Sequence, residues 1–151
     1  MFHVNIRSLR KHWDEFRLAV DSVPTTADVF ILTEINIHSE DVGLFSLAGF
    51  KSVFYTRDKK RGGGIAIFLK TALFYSEISL SFLSCESLAL HVFTSAYDLY
   101  LLAFYRPPSE NVPDFLSELR CNLQSLPANA ALCLTGDINI LFDETVKIHS
   151  L

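Results

Sequence analysis

A chain of 151 residues, half of them hydrophobic (50%), is the size of one domain and is long enough to bury a substantial core. Its formal net charge of −4 is not the overall basic footprint of a nucleic-acid-binding domain. No apolar run approaches the ~20 residues of a membrane helix, and the segment Met1-Phe2-His3-Val4-Asn5 lacks the basic start and apolar stretch of a secretory signal.

In chain order, residues 2–6 read as a short strand, with His3 and Asn5 on one side and Val4 and Ile6 on the other. Ser8 is placed to cap a helix. Leu9, Trp13, Phe16, Val20 and Val23 recur at steps of four and three, the stripe of an amphipathic helix that Pro24 ends. Asp28-Val29-Phe30-Ile31-Leu32 is a buried strand running into Thr33 and Glu34. Residues 35–49 have no clean period and read as a loop with an irregular turn. Residues 50–55 form a strand. Residues 56–64 are a loop in which the basic run Arg57, Lys59, Lys60 and Arg61 precedes Gly62-Gly63-Gly64. Those glycines do not fit a P-loop, and a flexible hairpin connection is the simpler reading.

Strands follow at 64–69, 73–80, 87–93 (preceded by Glu86) and 98–105, as antiparallel neighbours joined by short turns. The last ends in Tyr105-Arg106-Pro107-Pro108, where two prolines force an extended exit. A second helix opens at Asn111 or Val112 with Pro113 in its first turn. Its apolar stripe is Phe115, Leu116, Leu119, Leu123 and Leu126, and Pro127 closes it. The apolar run from Ala130 reads as a strand buried on both faces that delivers Asp137 and Asn139. Of the three cysteines (Cys85, Cys121, Cys133), Cys121 and Cys133 fall in apolar patterns and read as reduced core residues.

Asn5, Glu34, Tyr105, Asp137 and Asn139 thus share one layout: each lies at or just beyond the end of an apolar strand. Ligands of open α/β folds bind at such ends. Asp and Asn also form turns by bonding their own backbone, so either reading of Asp137 stands if it is taken alone. Together, Glu34 and Asp137 are hard oxygen donors suited to Mg²⁺ or Mn²⁺, and Tyr105 can donate to a phosphate. Arg7 and the loop carrying Arg57 and Arg61 read either as solvated surface or as contacts to DNA phosphates.

The pieces His3-Val4-Asn5-Ile6-Arg7-Ser8-Leu9, Leu32-Thr33-Glu34, Arg61-Gly62-Gly63-Gly64-Ile65-Ala66, Phe104-Tyr105-Arg106-Pro107-Pro108-Ser109 and Thr135-Gly136-Asp137-Ile138-Asn139 come in a familiar order. They resemble the endonuclease/exonuclease/phosphatase superfamily, and within it the apurinic-type endonuclease domain of non-LTR (LINE-type) retrotransposon reverse-transcriptase proteins. The resemblance covers essentially the whole chain. It implies a single α/β domain over residues 1–151: a four-layer sandwich of two mixed β-sheets packed face to face, with helices outside. It also implies Mg²⁺- or Mn²⁺-dependent nicking of DNA for target-primed reverse transcription. Glu34 would be the principal metal ligand with Asn5 beside it. Asp137 would orient or deprotonate the attacking water, Asn139 would hold the water or the transition-state oxygens, and Tyr105 would contact the scissile phosphate.

The implied partners are DNA and, in the full-length protein, a C-terminal reverse-transcriptase domain, with no membrane. The implied location is intracellular, in the nucleus if the protein is active. The family's closing Ser-Asp-His motif has no counterpart in these residues, and the strands that would follow Asn139 are absent from them. The sequence is therefore expected to be the N-terminal part of the domain, weak or inactive by itself. The alternatives are a catalytically dead remnant with at most DNA binding, and an abasic-site nuclease or phosphatase of the same superfamily.

Overall fold

The computed structural model describes residues 1–22, 27–57, 62–94 and 97–140. In chain order their elements are β1 (Phe2–Asn5), α1 (Leu9–Ser22), β2 (Val29–Thr33), a 3₁₀ helix (Ser39–Leu44), β3 (Phe50–Tyr55), β4 (Ile65–Lys70), β5 (Phe74–Ile78), β6 (Glu86–Phe93), β7 (Asp98–Tyr105), α2 (Val112–Gln124) and β8 (Ala131–Asp137). The strands form two four-stranded sheets, β1-β2-β4-β3 and β5-β6-β7-β8. Each is mixed: β1–β2 and β7–β8 are parallel and the remaining pairs antiparallel.

The period of two along each strand decides the layers. In β2, Val29 and Ile31 face the second sheet while Phe30 and Leu32 face α1. Val53, Ile65, Ile67 and Leu69 of the first sheet meet Leu88, Leu90, Val92, Leu101 and Ala103 of the second. Outside the first sheet, Phe30 and Phe68 pack under Trp13 and Phe16 of α1, with Trp13 and Phe68 ring centres 5.8 Å apart. Outside the second, Leu102 and Phe104 pack under Phe115, Leu119 and Leu123 of α2. The result is the helix–sheet–sheet–helix α/β sandwich that the family resemblance implies. Strands β2 and β4 are apolar on both faces because both faces are covered. Each large side chain so buried contributes about 1.5–3 kcal/mol.

Helix α2 starts where the sequence places it: the Asn111 side chain accepts the Asp114 N–H at 3.4 Å, and Pro113 sits in the first turn. Leu116 departs from the expected stripe and is 51% exposed, since it lies ~100° round the helix from Phe115. The expected helix end at Val23 and Pro24 lies outside the described residues. Residues 35–49 hold more structure than a loop: Ile35, Ile37, Phe45 and Leu47 are buried against the first sheet around the 3₁₀ helix. Three residues per turn leave no 3.6-residue period to detect. β8 also differs from expectation. Among the described residues it pairs only with β7, as an edge strand, and Leu132 and Leu134 are 47% and 46% exposed. An apolar run does not distinguish a central strand from an edge strand. Cys121 is exposed rather than in the core, and all three cysteines are free thiols.

Candidate active site

The two parallel pairs build the site. Parallel neighbours end at the same edge of a sheet, so Asn5 of β1 lies opposite Thr33 of β2, and Tyr105 of β7 lies opposite Asp137 of β8. The sheets pack with β1 and β2 against β8, and β2 against β7. Four strands therefore carry polar C-terminal ends to one place. The chain is held there in uncommon conformations. Arg7 (φ 57°), Glu34 (φ 54°), Asn36 (φ 50°) and Asn139 (φ 48°) are the non-glycine residues with positive φ among those described. All four lie at or beside these strand ends, and such conformations persist only where the surroundings fix them.

Asn5 joins the two sheets. Its Oδ1 accepts the Arg7 N–H at 3.1 Å, which turns its amide nitrogen toward the opposite wall. That nitrogen donates to Glu34 Oε1 at 3.0 Å and to Asp137 Oδ2 at 2.7 Å. Asn5 thus presents N–H rather than oxygen here, and the oxygen donors are the two carboxylates. His3, on the same side of β1, shares a hydrogen bond of 3.2 Å with Thr33 Oγ1. Burial lowers its pKa, and the Asp137 charge partly opposes that shift.

Asp137 reaches Tyr105 because of the residue before it. Gly136 has φ +136°, and a Cβ there would overlap the Phe104 backbone, so only glycine lets β8 lie this close to β7. The Tyr105 hydroxyl faces the Glu34 carboxylate. Burial, then the charges of Glu34, Glu86 and Asp137, push its pKa up to about 12. Next to it Arg106, 2% exposed, acts as a structural clamp. Its guanidinium donates to the carbonyls of Ile138 (2.6 Å), Pro107 (3.2 Å), Glu110 and Asn139. The Asn139 amide returns a bond to the Arg106 carbonyl at 2.9 Å, and the Asn139 N–H reaches Asp137 Oδ1 at 3.3 Å. Asn139 therefore meets the site through its backbone, which steadies Asp137.

A second group of residues was not apparent in the sequence. Glu86 is 4% exposed, accepts the Gly64 N–H at 2.5 Å and is ion-paired with Arg57. Burial raises its pKa, and the Gly64 N–H and Arg57 pull it back. The glycine turn is a fitted part of the structure, not a slack hairpin link, because Gly63 and Gly64 are both buried. The available signal was a carboxylate opening an apolar strand, the layout of Glu34 and Asp137 in reverse. Beside this group Arg7, Lys11, His38 and Arg57 line an open concavity of about 460 Å³ together with Asn36 and Gly62. The charge there is basic although the chain as a whole is acidic. Arg61 lies outside the described residues.

The donor set suits a hard divalent cation. Glu34 and Asp137 turn oxygens toward one amide nitrogen from opposite sheets, and Mg²⁺ is commonly held by one or two carboxylates with waters and substrate phosphates completing the shell. Among the described residues no group of three or more His, Cys, Asp or Glu forms a closed metal cage. Any cation here would be held by few protein ligands.

Two face-packed mixed sheets with helices outside are a fold that this chain shares with solved structures of endonuclease/exonuclease/phosphatase-type enzymes. Over 93% of its length it is similar to the endonuclease domain of TRAS1, a telomere-specific non-LTR retrotransposon, at TM-score 0.67 and 15% identity. Over 92% it is similar to the 3′ phosphatase NExo from Neisseria bound to product DNA hairpin (TM-score 0.62, 17% identity). An AP endonuclease from Archaeoglobus fulgidus matches over 92% as well (TM-score 0.62, 14% identity). The chain spans 58%, 56% and 56% of those three proteins. No family model matches the sequence, and no curated protein matches it. Among the described residues no helix is long and apolar enough to cross a membrane.

Proposed function

We propose that this chain carries the strand-nicking site of a divalent-metal-dependent DNA endonuclease of the non-LTR retrotransposon type. The observation that carries this reading is the Asn5 amide bonded to both Glu34 and Asp137, one carboxylate from each sheet. The basic concavity beside it, bordered by Arg7, Lys11 and Arg57, suits the phosphates of a DNA strand. The likeness to an endonuclease domain of TRAS1 supports the choice of branch.

In this reading Glu34 and Asp137 would hold Mg²⁺ or Mn²⁺, which would supply charge stabilisation at the phosphoryl oxygens. Asp137, fixed by Asn5 and by the Asn139 N–H, orients a water for in-line attack and takes its proton. Asn5 keeps the two carboxylates in register. Tyr105, whose pKa is pushed up to about 12, keeps its proton at neutral pH, and its hydroxyl would turn from Glu34 to a non-bridging phosphate oxygen as charge develops. Arg7 and Arg57 hold the flanking backbone. A reverse-transcriptase domain in a longer protein would extend the 3′-hydroxyl so produced, and nuclear DNA would be the target.

Titrating Mn²⁺ into the protein and into Glu34→Ala tests this reading. Saturable binding that weakens at least tenfold in the variant is expected, and superimposable curves would sink it. A second reading, a 3′ phosphatase or abasic-site nuclease on the same fold, draws on the comparable likeness to NExo and the archaeal AP endonuclease. Comparing cleavage of intact, abasic and 3′-phosphorylated duplexes separates the two.

A further inference from the structure

Among the described residues Glu86 is the one buried carboxylate, and its hydrogen-bond and ion-pair partners are Gly64 and Arg57 rather than Asn5, Glu34 or Asp137. It opens β6 opposite Tyr105 of β7, and its side chain reaches the glycines that precede β4. There Oε2 accepts the Gly64 N–H at 2.5 Å and Oε1 is paired with the Arg57 guanidinium. A carboxylate taken out of water needs such partners. The turn closes on it so tightly that a Cβ on Gly63 would overlap the carboxylate. The two glycines then offer their carbonyls on the other side. Gly63 O accepts the Asn36 N–H at 3.0 Å and Gly64 O the Ile35 N–H at 3.4 Å. Ile35 and Asn36 directly follow Glu34, whose φ of 54° a residue with a Cβ avoids unless its neighbours hold it. Asn36 adds bonds to the carbonyls of Arg7 (2.8 Å) and Glu34 (3.1 Å).

We propose that Glu86 is a positioning residue for Glu34: its carboxylate fixes the Gly63-Gly64 turn, and the turn fixes the backbone of residues 34–36 in the conformation that aims the Glu34 side chain at Asn5. Its consequence for metal binding rests on the reading of the site given above, whereas the mechanical link does not. Arg57 belongs to the same unit, so the basic concavity and the carboxylate pair are set by one buried acid.

Amide hydrogen exchange on Glu86→Ala and Glu86→Gln tests the link, with Mn²⁺ titration in parallel. Losing a charge-assisted acceptor should speed exchange at Ile35 and Asn36 by roughly tenfold or more, while Ile31 and Ile67 of the core strands stay unchanged. Glu86→Gln keeps an acceptor for Gly64 and should restore slow exchange. Unchanged exchange at Ile35 and Asn36 in folded Glu86→Ala overturns the proposal, and so does acceleration shared equally by Ile31 and Ile67. Should Glu86→Ala fail to fold, Gly63→Ala, which displaces the turn from an intact carboxylate, is read by the same pattern. Mn²⁺ affinity should fall about tenfold in Glu86→Ala, in line with a ligand backbone left to drift, and recover in Glu86→Gln. Equal affinity in wild type and Glu86→Ala overturns the proposal. If the wild-type protein binds no Mn²⁺, the metal reading falls, and exchange at Asn36 alone decides whether Glu86 positions Glu34.

Discussion

The Asn5 amide of β1 donates at 2.7 Å to the Asp137 carboxylate at the end of β8, 132 residues further along the chain. The bond crosses between sheets, and the same nitrogen bonds Glu34 at 3.0 Å. Glu34 and Asp137 are therefore coupled through one neutral side chain. A double-mutant cycle of Asn5→Ala and Asp137→Ala, read by urea denaturation, should give a coupling energy of about 1–2 kcal/mol. Asn5→Ala alone should cost about 1–3 kcal/mol, since it removes bonds to charged groups in a partly buried setting. Strict additivity would show that the two sheets do not communicate through this amide.

In the sequence Glu34, Tyr105 and Asp137 stand out as polar residues at the ends of apolar strands, Asn5 joins them through the family resemblance, and the structure places all four at neighbouring strand ends. What the sequence did not reveal depends on contacts remote in the chain. In the sequence Glu86 is only the residue preceding a strand, and the glycine turn, 22 residues away, makes it a buried anchor. Asn139 shares a motif with Asp137, yet its side chain is bonded to the Arg106 carbonyl, because the positive φ at Asn139 breaks the alternation of β8. The apolar run ending at Asp137 gave a strand but not its place at a sheet edge, since burial of its outer face depends on what lies beside it.

Gly136 is the backbone condition for bringing Asp137 to Tyr105. Gly136→Ala would set a Cβ against the Phe104 backbone, and backbone cannot move aside as a side chain can. A loss of at least about 2 kcal/mol is expected, at the upper side of overpacking costs, as a lower denaturation midpoint with an unchanged slope. Gly43→Ala is the control, because nothing lies within 4 Å of its Cβ position. That change should stay within about 0.5 kcal/mol.

Catalysis by groups that act together is non-additive, so losing one member removes most of the rate. If the Ser-Asp-His motif that the family resemblance implies belongs to such a unit, nicking of supercoiled plasmid by these residues, which contain none, should be weak or absent at saturating Mn²⁺. Robust nicking that disappears in Asp137→Ala would show that Asn5, Glu34, Tyr105 and Asp137 suffice.

Binding of duplex DNA should depend on the basic concavity even where nicking is weak. Each phosphate contact contributes a salt-dependence slope of about −0.9. Arg7→Ala combined with Lys11→Ala should therefore flatten the log–log slope by about two if each contacts one phosphate. Arg57 is the less clean probe, since removing it also strips Glu86 of its partner. An unchanged slope would return the concavity to ordinary solvated surface.

Tyr105 gives the pH test. Burial first, and then the charges of Glu34, Glu86 and Asp137, push its hydroxyl up to about 12, against ~10 for an unfolded tyrosine. A group whose pKa is raised on folding keeps its protons longer in the native state. Its contribution to stability is complete below about pH 10 and is lost as pH rises toward 12. Wild type should therefore lose stability between pH 10 and 12 more steeply than Tyr105→Phe, which has no proton to release there. Ultraviolet absorption gives an independent reading, because a phenolate that forms last in wild type should be missing from the Tyr105→Phe titration. If the alkaline end of the titration is the same in Tyr105→Phe, the Tyr105 hydroxyl is not held against the Glu34 carboxylate as the structure has it.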